Sequence, residues 1–369
     1  NNWTYSYGYS LQHVLYDNNT LDLVNSWEFN SDLRFLRYGA YAQASSNWLD
    51  DRLQLSAGFR IDDNSFMTDN TGLFAQFSPR LSASYTLDRA GKVKWNQSWG
   101  IYYKIPPYTV LGYQDNLGLW VNQSSKYIES EHLVGGLEFL INESARMTLE
   151  GFLKRYNNYP VSIKDEVSLA NKGGGFEVLG SEPILSTGLG RTYGVEFLYQ
   201  QKFTGTWYGI GSLTWYRSEF SGSNEIYQPS LWDNQLLISL LGGYKLGNNW
   251  EISTRYRYLG SAPYVPTNSE KSLQFYPAIV KDFNNIGSVR LDSYNQVDVR
   301  VDKKWSYRNW SLDLFFEIQN VLANANPQEP SYGLDRNEAG EILLPRRLVQ
   351  VNTNNSATVL PSIGIVINF

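Results

Sequence analysis

The chain has 369 residues, with 31 Lys+Arg against 36 Asp+Glu, 27 Tyr, 17 Phe and 12 Trp, but only 2 His and no Cys. It has no cysteine for a disulfide framework, thiolate metal centre or Cys nucleophile, two histidines cannot form a His-rich metal cage, and a net charge of −5 argues against a nucleic-acid partner. A mean hydropathy of −0.39 and the lack of any long apolar run exclude a helical membrane protein, while 15% aromatic residues exceeds the ordinary globular share.

At the N-terminus, Asn1-Asn2-Trp3-Thr4-Tyr5 already reads as folded sequence and not as a signal peptide, so a processed chain or a piece of a longer one is expected. Period-two alternation then dominates. Trp3, Tyr5, Tyr7, Tyr9 and Leu11 share one face against Thr4, Ser6, Gly8, Ser10 and Gln12. Leu53, Leu55, Ala57, Phe59 and Ile61 oppose Gln54, Ser56, Gly58, Arg60 and Asp62, and Phe77, Leu81, Ala83, Tyr85 and Leu87 oppose Ser78, Arg80, Ser82, Ser84 and Thr86. Near the C-terminus, Trp310, Leu312, Leu314, Phe316 and Ile318 oppose Ser311, Asp313, Phe315, Glu317 and Gln319.

This template predicts fourteen strands, at 3–14, 33–45, 52–62, 77–87, 93–103, 130–141, 146–156, 191–203, 206–218, 234–246, 250–260, 293–305, 310–321 and 358–369. They are longer than the roughly 5–6 residues of a soluble strand and match the roughly 9–11 that a tilted bilayer crossing needs. Short Asn/Asp/Gly/Ser-rich links at 46–51, 88–92, 142–145, 204–205, 247–249 and 306–309 alternate with long ones at 15–32, 63–76, 104–129, 157–190, 219–233, 261–292 and 322–357. Tight turns on one rim and long loops on the other describe an all-β transmembrane antiparallel barrel, its turns periplasmic and its loops extracellular, in a bacterial outer membrane.

Trp48, Trp95, Trp207, Trp250, Trp305 and Trp310 fall at or beside the short turns, as an interfacial girdle against outer-membrane lipid requires. Charges inside the strands keep the parity of the polar face. Arg60, Arg80, Glu150, Lys154, Glu196, Arg255, Arg257, Asp298, Arg300 and Glu317 are therefore expected to face the lumen, where they would line water or hold a plug. Gln97 and Lys303 break the parity, the latter close enough to a turn to snorkel.

Several segments carry a family resemblance: Arg37-Tyr38-Gly39-Ala40-Tyr41-Ala42-Gln43, Leu55-Ser56-Ala57-Gly58-Phe59-Arg60 and Phe77-Ser78-Pro79-Arg80-Leu81-Ser82-Ala83-Ser84-Tyr85. Further ones are Gly100-Ile101-Tyr102-Tyr103-Lys104-Ile105-Pro106-Pro107-Tyr108, Gly194-Val195-Glu196-Phe197, Ile318-Gln319-Asn320-Val321-Leu322 and the ending from Leu360 to Phe369. In this order the chain resembles the C-terminal part of the barrel of TonB-dependent outer-membrane receptors, of the type common in Bacteroidota. The resemblance implies a 22-stranded barrel, closed by an N-terminal plug and driven by TonB through an N-terminal segment. Fourteen strands over 1–369 with no plug thus read as the C-terminal portion of such a barrel. It also implies that Ile363, Ile365, Ile367 and Phe369 form the signal read by the barrel-assembly machinery.

No catalytic constellation stands out: His13 and His132 lie in different strands without a nearby Ser/Asp pattern, and the carboxylates Glu129/Glu131 and Asp62/Asp63 sit at strand ends. Lys172-Gly173-Gly174-Gly175-Phe176 lacks the rest of a phosphate loop, and the oxygen-rich stretches Asp17 to Asp22 and Asp62 to Asn64 lack EF-hand spacing, so no metal or cofactor is expected. Loop aromatics Tyr108, Tyr113, Trp120, Tyr227, Trp232, Tyr264 and Tyr276 offer flat faces beside polar atoms, suited to sugars, peptides or chelates, or else to packing loop against loop. The expected function is active uptake of a siderophore, cobalamin, glycan or peptide, with a surface lipoprotein as a further partner. A complete 14-stranded passive channel is the alternative, followed by an outer-membrane hydrolase and by an adhesin or assembly scaffold.

Overall fold

A computed structural model describes residues 3–22, 27–69, 72–115, 117–173, 179–351 and 357–369. Its long strands are β1 (Trp3–Asp22), β2 (Trp27–Trp48), β3 (Leu53–Asn64), β4 (Ser78–Thr86), β5 (Val93–Lys104), β6 (Ile128–Leu140) and β7 (Ala145–Ser162). They continue with β8 (Ile184–Gln201), β9 (Trp207–Ser221), β10 (Leu236–Gly247), β11 (Trp250–Leu259), β12 (Tyr294–Ser306), β13 (Ser311–Gln319) and β14 (Leu360–Asn368). All pair in chain order as one antiparallel sheet, with Tyr227–Pro229 added beside the loop end of β9. Among the described residues, β1 and β14 each pair on one side.

The registers carry each face unbroken across the sheet. Trp48 lies opposite Leu53, Leu53 opposite Tyr85, Tyr85 opposite Trp95, and Trp95 opposite Leu137. The row continues through Leu149, Phe197 and Leu213. On this face Leu55, Phe59, Leu133, Val195, Trp215 and Phe316 are exposed. So large an apolar surface is not stable in water, and hydrocarbon is the solvent it fits. The opposite face carries the serines, amides and most charges, but the expected parity fails at the loop end, where Glu131, Arg155, Arg191, Arg217 and Glu219 lie on the apolar side. Close approach on the polar face demands glycine at position 194: a Cβ would sit 2.3 Å from the Trp215 carbonyl oxygen and 2.8 Å from Phe152 Cζ.

Turn chemistry agrees with the short links. Asn248 and Asn249 take φ of 48° and 58°, the left-handed pair of a two-residue hairpin. At the other rim the structure corrects two expected loops. Residues 15–32 do not form a long loop: β1 and β2 stay paired from Leu15↔Arg34 to Asp22↔Trp27. Likewise β7 runs on to Ser162 and β8 starts at Ile184, which shortens the expected 157–190 link to 163–183. Beyond the membrane both faces of a hairpin meet water, so pairing continues while alternation stops, as in Asp17-Asn18-Asn19. Pro160 sits in β7 where the register with β8 shifts, a place where the ladder tolerates a missing N–H.

The apolar core lies among the long loops, not within the wall. One cluster joins Leu33 and Phe35 of the β1–β2 hairpin to Phe66, Met67, Ile105, Leu111 and Tyr127. A second joins Val110 to Leu169 and Ile184, and a third joins Val167 to Val265 and Ile286.

Candidate functional site: polar inner wall and loop crown

Strand register places all ten expected lumen residues on the polar face, opposite the tryptophans. Arg60 bonds Asp62 at 2.6 Å, and the Arg80 guanidinium stacks 4.6 Å from the Tyr102 ring centre. Arg255 and Arg257 converge on Asp298 at 2.7 and 3.6 Å, while Arg300 reaches Asp302 at 2.6 Å and Glu317 at 3.9 Å. Lys154 stands over the Phe152 ring at 5.6 Å. These pairs close a polar wall whose charges are mostly satisfied.

Arg80 and Lys154 make these ring contacts but no ion pair among the described residues, and Glu150 and Glu196 make neither. The two glutamates lie directly opposite one another on β7 and β8. Glu196 accepts a hydrogen bond from Thr214 Oγ1 at 3.3 Å. Like charges directly opposite in a ladder repel, so this half-buried pair is complementary to a cation.

His132 also departs from expectation. Sequence reading found no serine partner, yet Ser130 Oγ lies 2.7 Å from His132 Nε2, because residues i and i+2 share a strand face. Its ring packs 4.6 Å from Tyr102, and Lys154 is its cross-strand neighbour on β7. Among the described residues no carboxylate is hydrogen-bonded to the imidazole, the contact that would orient it in a hydrolytic triad.

On the outer face, Trp48, Trp95, Trp207, Trp250 and Trp310 are exposed at the short-turn end, and Trp305 is half-buried beside them. Trp3 adds an edge-to-face contact to Trp48 at 6.4 Å, and Tyr307 stacks on Trp310 at 4.3 Å. Lys303 Nζ donates to the Asn248 carbonyl at the turn, 5.1 and 5.6 Å from the Trp250 and Trp305 rings. Gln97 folds over Gly135, where a Cβ would meet its Oε1 at 2.6 Å. Trp215 lies eight residues beyond Trp207 on β9, about 26 Å along the strand at roughly 3.3 Å per residue and about 20 Å of height at the usual tilt. Ile363, Ile365 and Ile367 face the same side, opposite Phe316, Leu314 and Leu312, and with the terminal Phe369 they are exposed.

The seven loop aromatics do not converge. Tyr108 packs on Phe35 at 5.8 Å and Tyr16 at 5.5 Å, and Trp120 meets Phe66 edge-on at 5.5 Å, so both serve the loop core. Burial, with Asp115 and Glu182 nearby, holds the Tyr113 phenol above its ordinary pKa, and burial does the same to Tyr264, next to Tyr332 and Glu329. Tyr227 sits under the Arg191 guanidinium at 4.4 Å, in register with the outward end of β9. Trp232 is 52% exposed and Tyr227 and Tyr276 36% each, so Trp232 is the most open of the seven.

Three polar anchors escaped sequence reading. Asp233, fully buried, takes Arg290 at 2.6 Å, Arg217 at 3.2 Å and the Ser218 N–H at 2.8 Å. Lys172 bridges Asp165 at 2.5 Å and Glu182 at 2.6 Å. Asn122 donates to the Val110 and Glu182 carbonyls at 2.8 Å and accepts from the Ile184 N–H at 3.0 Å. Gly174, Gly175 and Phe176 of the glycine run lie outside the described residues. The expected oxygen-rich stretch Asp62 to Asn64 is committed internally, with Asp63 accepting from Gly72 N–H and Asn64 bonding Tyr127.

The family profile described as "TonB dependent receptor-like, beta-barrel" matches residues 1–321. Curated protein sequences give no match. Among solved structures, the ferric-catecholate import receptor Fiu of Escherichia coli K12 is similar at a TM-score of 0.62 with 13% identity, over 99% of this chain and 52% of that one. The copper transporter OprC gives 0.60 and 13%, over 100% and 53%. The pyocin S2 complex of FpvAI gives 0.58 and 16%, over 90% and 43%. The chain thus spans about half the length of these relatives or less, and at such identities the likeness is one of fold. Two faces of opposite chemistry and a profile match over residues 1–321 place the chain in the family of TonB-dependent receptor β-barrels.

Proposed function

We propose that this chain is the C-terminal barrel portion of an outer-membrane receptor that takes up a nutrient actively, with long loops outside and short turns in the periplasm. Residues 1–369 supply fourteen of twenty-two strands, and a plug domain fills the lumen. The observation that carries this reading is the Glu150/Glu196 pair, two opposed carboxylates on the inner wall that make no ion pair among the described residues. A plug arginine or lysine satisfies them, whereas a water-filled pore leaves them repelling. One-sided pairing of β1 and β14, and relatives about twice as long, support the larger barrel.

In this reading Trp232, Tyr264 and Tyr276 contact substrate, while Tyr108, Tyr113 and Trp120 stiffen the loops beneath them. Substrate is a siderophore, cobalamin, glycan or peptide, with a surface lipoprotein assisting capture for the last two. TonB pulls on an N-terminal segment, and Ile363, Ile365, Ile367 and Phe369 guide barrel assembly. The test is accumulation of labelled iron chelate, cobalamin, oligosaccharide and peptide by cells carrying the protein. One class should enter only with TonB and a proton-motive force, and Glu150→Lys with Glu196→Lys should abolish that entry. Accumulation that continues undiminished without TonB would instead establish a passive channel.

A further inference from the structure

On the outer face, a second like-charged pair mirrors the carboxylates inside. Arg155 of β7 lies directly opposite Arg191 of β8, and both side chains are open, at 65% and 45% exposure. Each has one carboxylate near it, held at a distance or shared. Arg155 has Glu131 Oε2 at 3.8 Å, while the other oxygen of that carboxylate accepts the Trp99 indole N–H at 2.9 Å. Arg191 bonds Glu219 through Nη2 and Nε at 2.7 and 2.8 Å and lies 4.4 Å from the Tyr227 ring centre, and Glu219 is shared with Arg217 at 3.4 Å. Two guanidinium groups side by side on a ladder are destabilising unless an anion lies between them.

Their height on the wall says which anion. The row formed by Arg155, Arg191 and Glu219 lies about twelve residues along β9 from Trp207, roughly 40 Å along the strand and about 30 Å of height at the usual tilt. That is the far interface. Towards the membrane centre the next row on the same face is Leu153, Tyr193 and Arg217, whose guanidinium is taken by Asp233 and Glu219, and Trp215 follows below with Tyr193 edge-on to it at 6.4 Å. A charged pair above an aromatic ledge that borders hydrocarbon presents both halves of a lipid at once.

We propose that Arg155 and Arg191 clamp the phosphate of a phosphorylated lipid headgroup in the leaflet at the long-loop rim, its acyl chains lying on Leu153, Tyr193 and Trp215. The proposal rests on the reading of the chain as a membrane-spanning barrel. Glu131 and Glu219 hold the two guanidinium groups apart and aimed outward, and the phosphate bridges them.

Protein extracted from outer membranes in mild detergent, stripped of lipid and titrated with a bis-phosphorylated glycolipid, its dephosphorylated form or phosphatidylcholine, tests this by native mass spectrometry. Wild type should retain the phosphorylated lipid at least about tenfold more tightly than either other lipid, given two charge-assisted contacts. Arg155→Gln with Arg191→Gln should erase that preference, and Glu131→Gln, which frees Arg155, should strengthen it. Unshifted heat-modifiable mobility on gels confirms that each variant is folded. Equal retention of all three lipids, or a preference that survives loss of both arginines or is unchanged in Glu131→Gln, overturns the proposal. Displacement of the bound lipid by excess inorganic phosphate alone would mark a free-anion site and also overturn it. Flotation with liposomes is read separately: a protein that does not float with them refutes the membrane reading itself.

Discussion

Replacing Asp233 by Ala should open two loops without unfolding the sheet. The carboxylate is fully buried, 2.6 Å from Arg290 and 3.2 Å from Arg217, and it also accepts the Ser218 N–H. At an effective dielectric of about 20, a pair 3 Å apart interacts by about 5 kcal/mol. Since the arginine side chains are 23% and 29% exposed, water offsets part of that when the partner is lost. Arg217 also keeps Glu219 at 3.4 Å. About 3 kcal/mol of local stability is the working figure, a little over a hundredfold in the population of the open form. Hydrogen exchange read by mass spectrometry should therefore accelerate by about two orders of magnitude across 222–235 and 260–293. Arg290→Met, which leaves Asp233 with Arg217 and Ser218, should accelerate exchange less. If exchange in both loops changed by less than about threefold, or rose equally throughout β9 to β12, the role assigned to Asp233 would be wrong.

Three other perturbations probe other parts of the fold. Asn122→Ala removes three hydrogen bonds from a buried site and should cost about 2–4 kcal/mol of loop stability, visible as lost protection of the Ile184 amide. Val299→Lys, on the lipid face of β12, should lower stability by about 2–4 kcal/mol in refolding titrations into liposomes, while Lys303→Met beside the turn stays within about 1 kcal/mol of wild type. A cost below about 1 kcal/mol for Val299→Lys would mean that this face of the strand meets water and not hydrocarbon. Asp88 holds its pKa below the ordinary carboxylate value mainly by accepting the Val93 N–H at 2.8 Å. Its contribution is thus complete above the unfolded value of about 4 and is lost as pH falls through the depressed folded value. The Val93 amide should become more mobile in that acid range in wild type, but not as a function of pH in Asp88→Asn.

Where lipid touches one face and water the other, the sequence is easy to read, because each residue must match one solvent. Leu53, Leu55, Ala57, Phe59 and Ile61 could have no other arrangement, and the parity of Arg255, Asp298 and Arg300 followed from the same constraint. Past the membrane that constraint lapses: Asp17, Asn18 and Asn19 pair as a strand although nothing in their order announces it. Loop anchors were hidden for another reason. Asp233, Lys172 and Asn122 are single polar residues whose partners lie up to 62 positions away, and only the fold brings them together. Ser130 and His132 were legible in principle, since two residues apart on a strand means one face. The opposition of Glu150 to Glu196 needed the β7–β8 register as well.

The chain-order meander also bears on how the sheet is made. Each long strand finds its partner in the next one along the sequence, so no strand has to be inserted between two that are already joined. Growth can proceed by adding one hairpin at a time at a moving edge, and each short turn limits the search for the next partner to a few residues. The hazard is confined to that edge, whose open N–H and C=O groups would pair with any other exposed strand. A machine that held only the growing edge would therefore guard the entire intermediate.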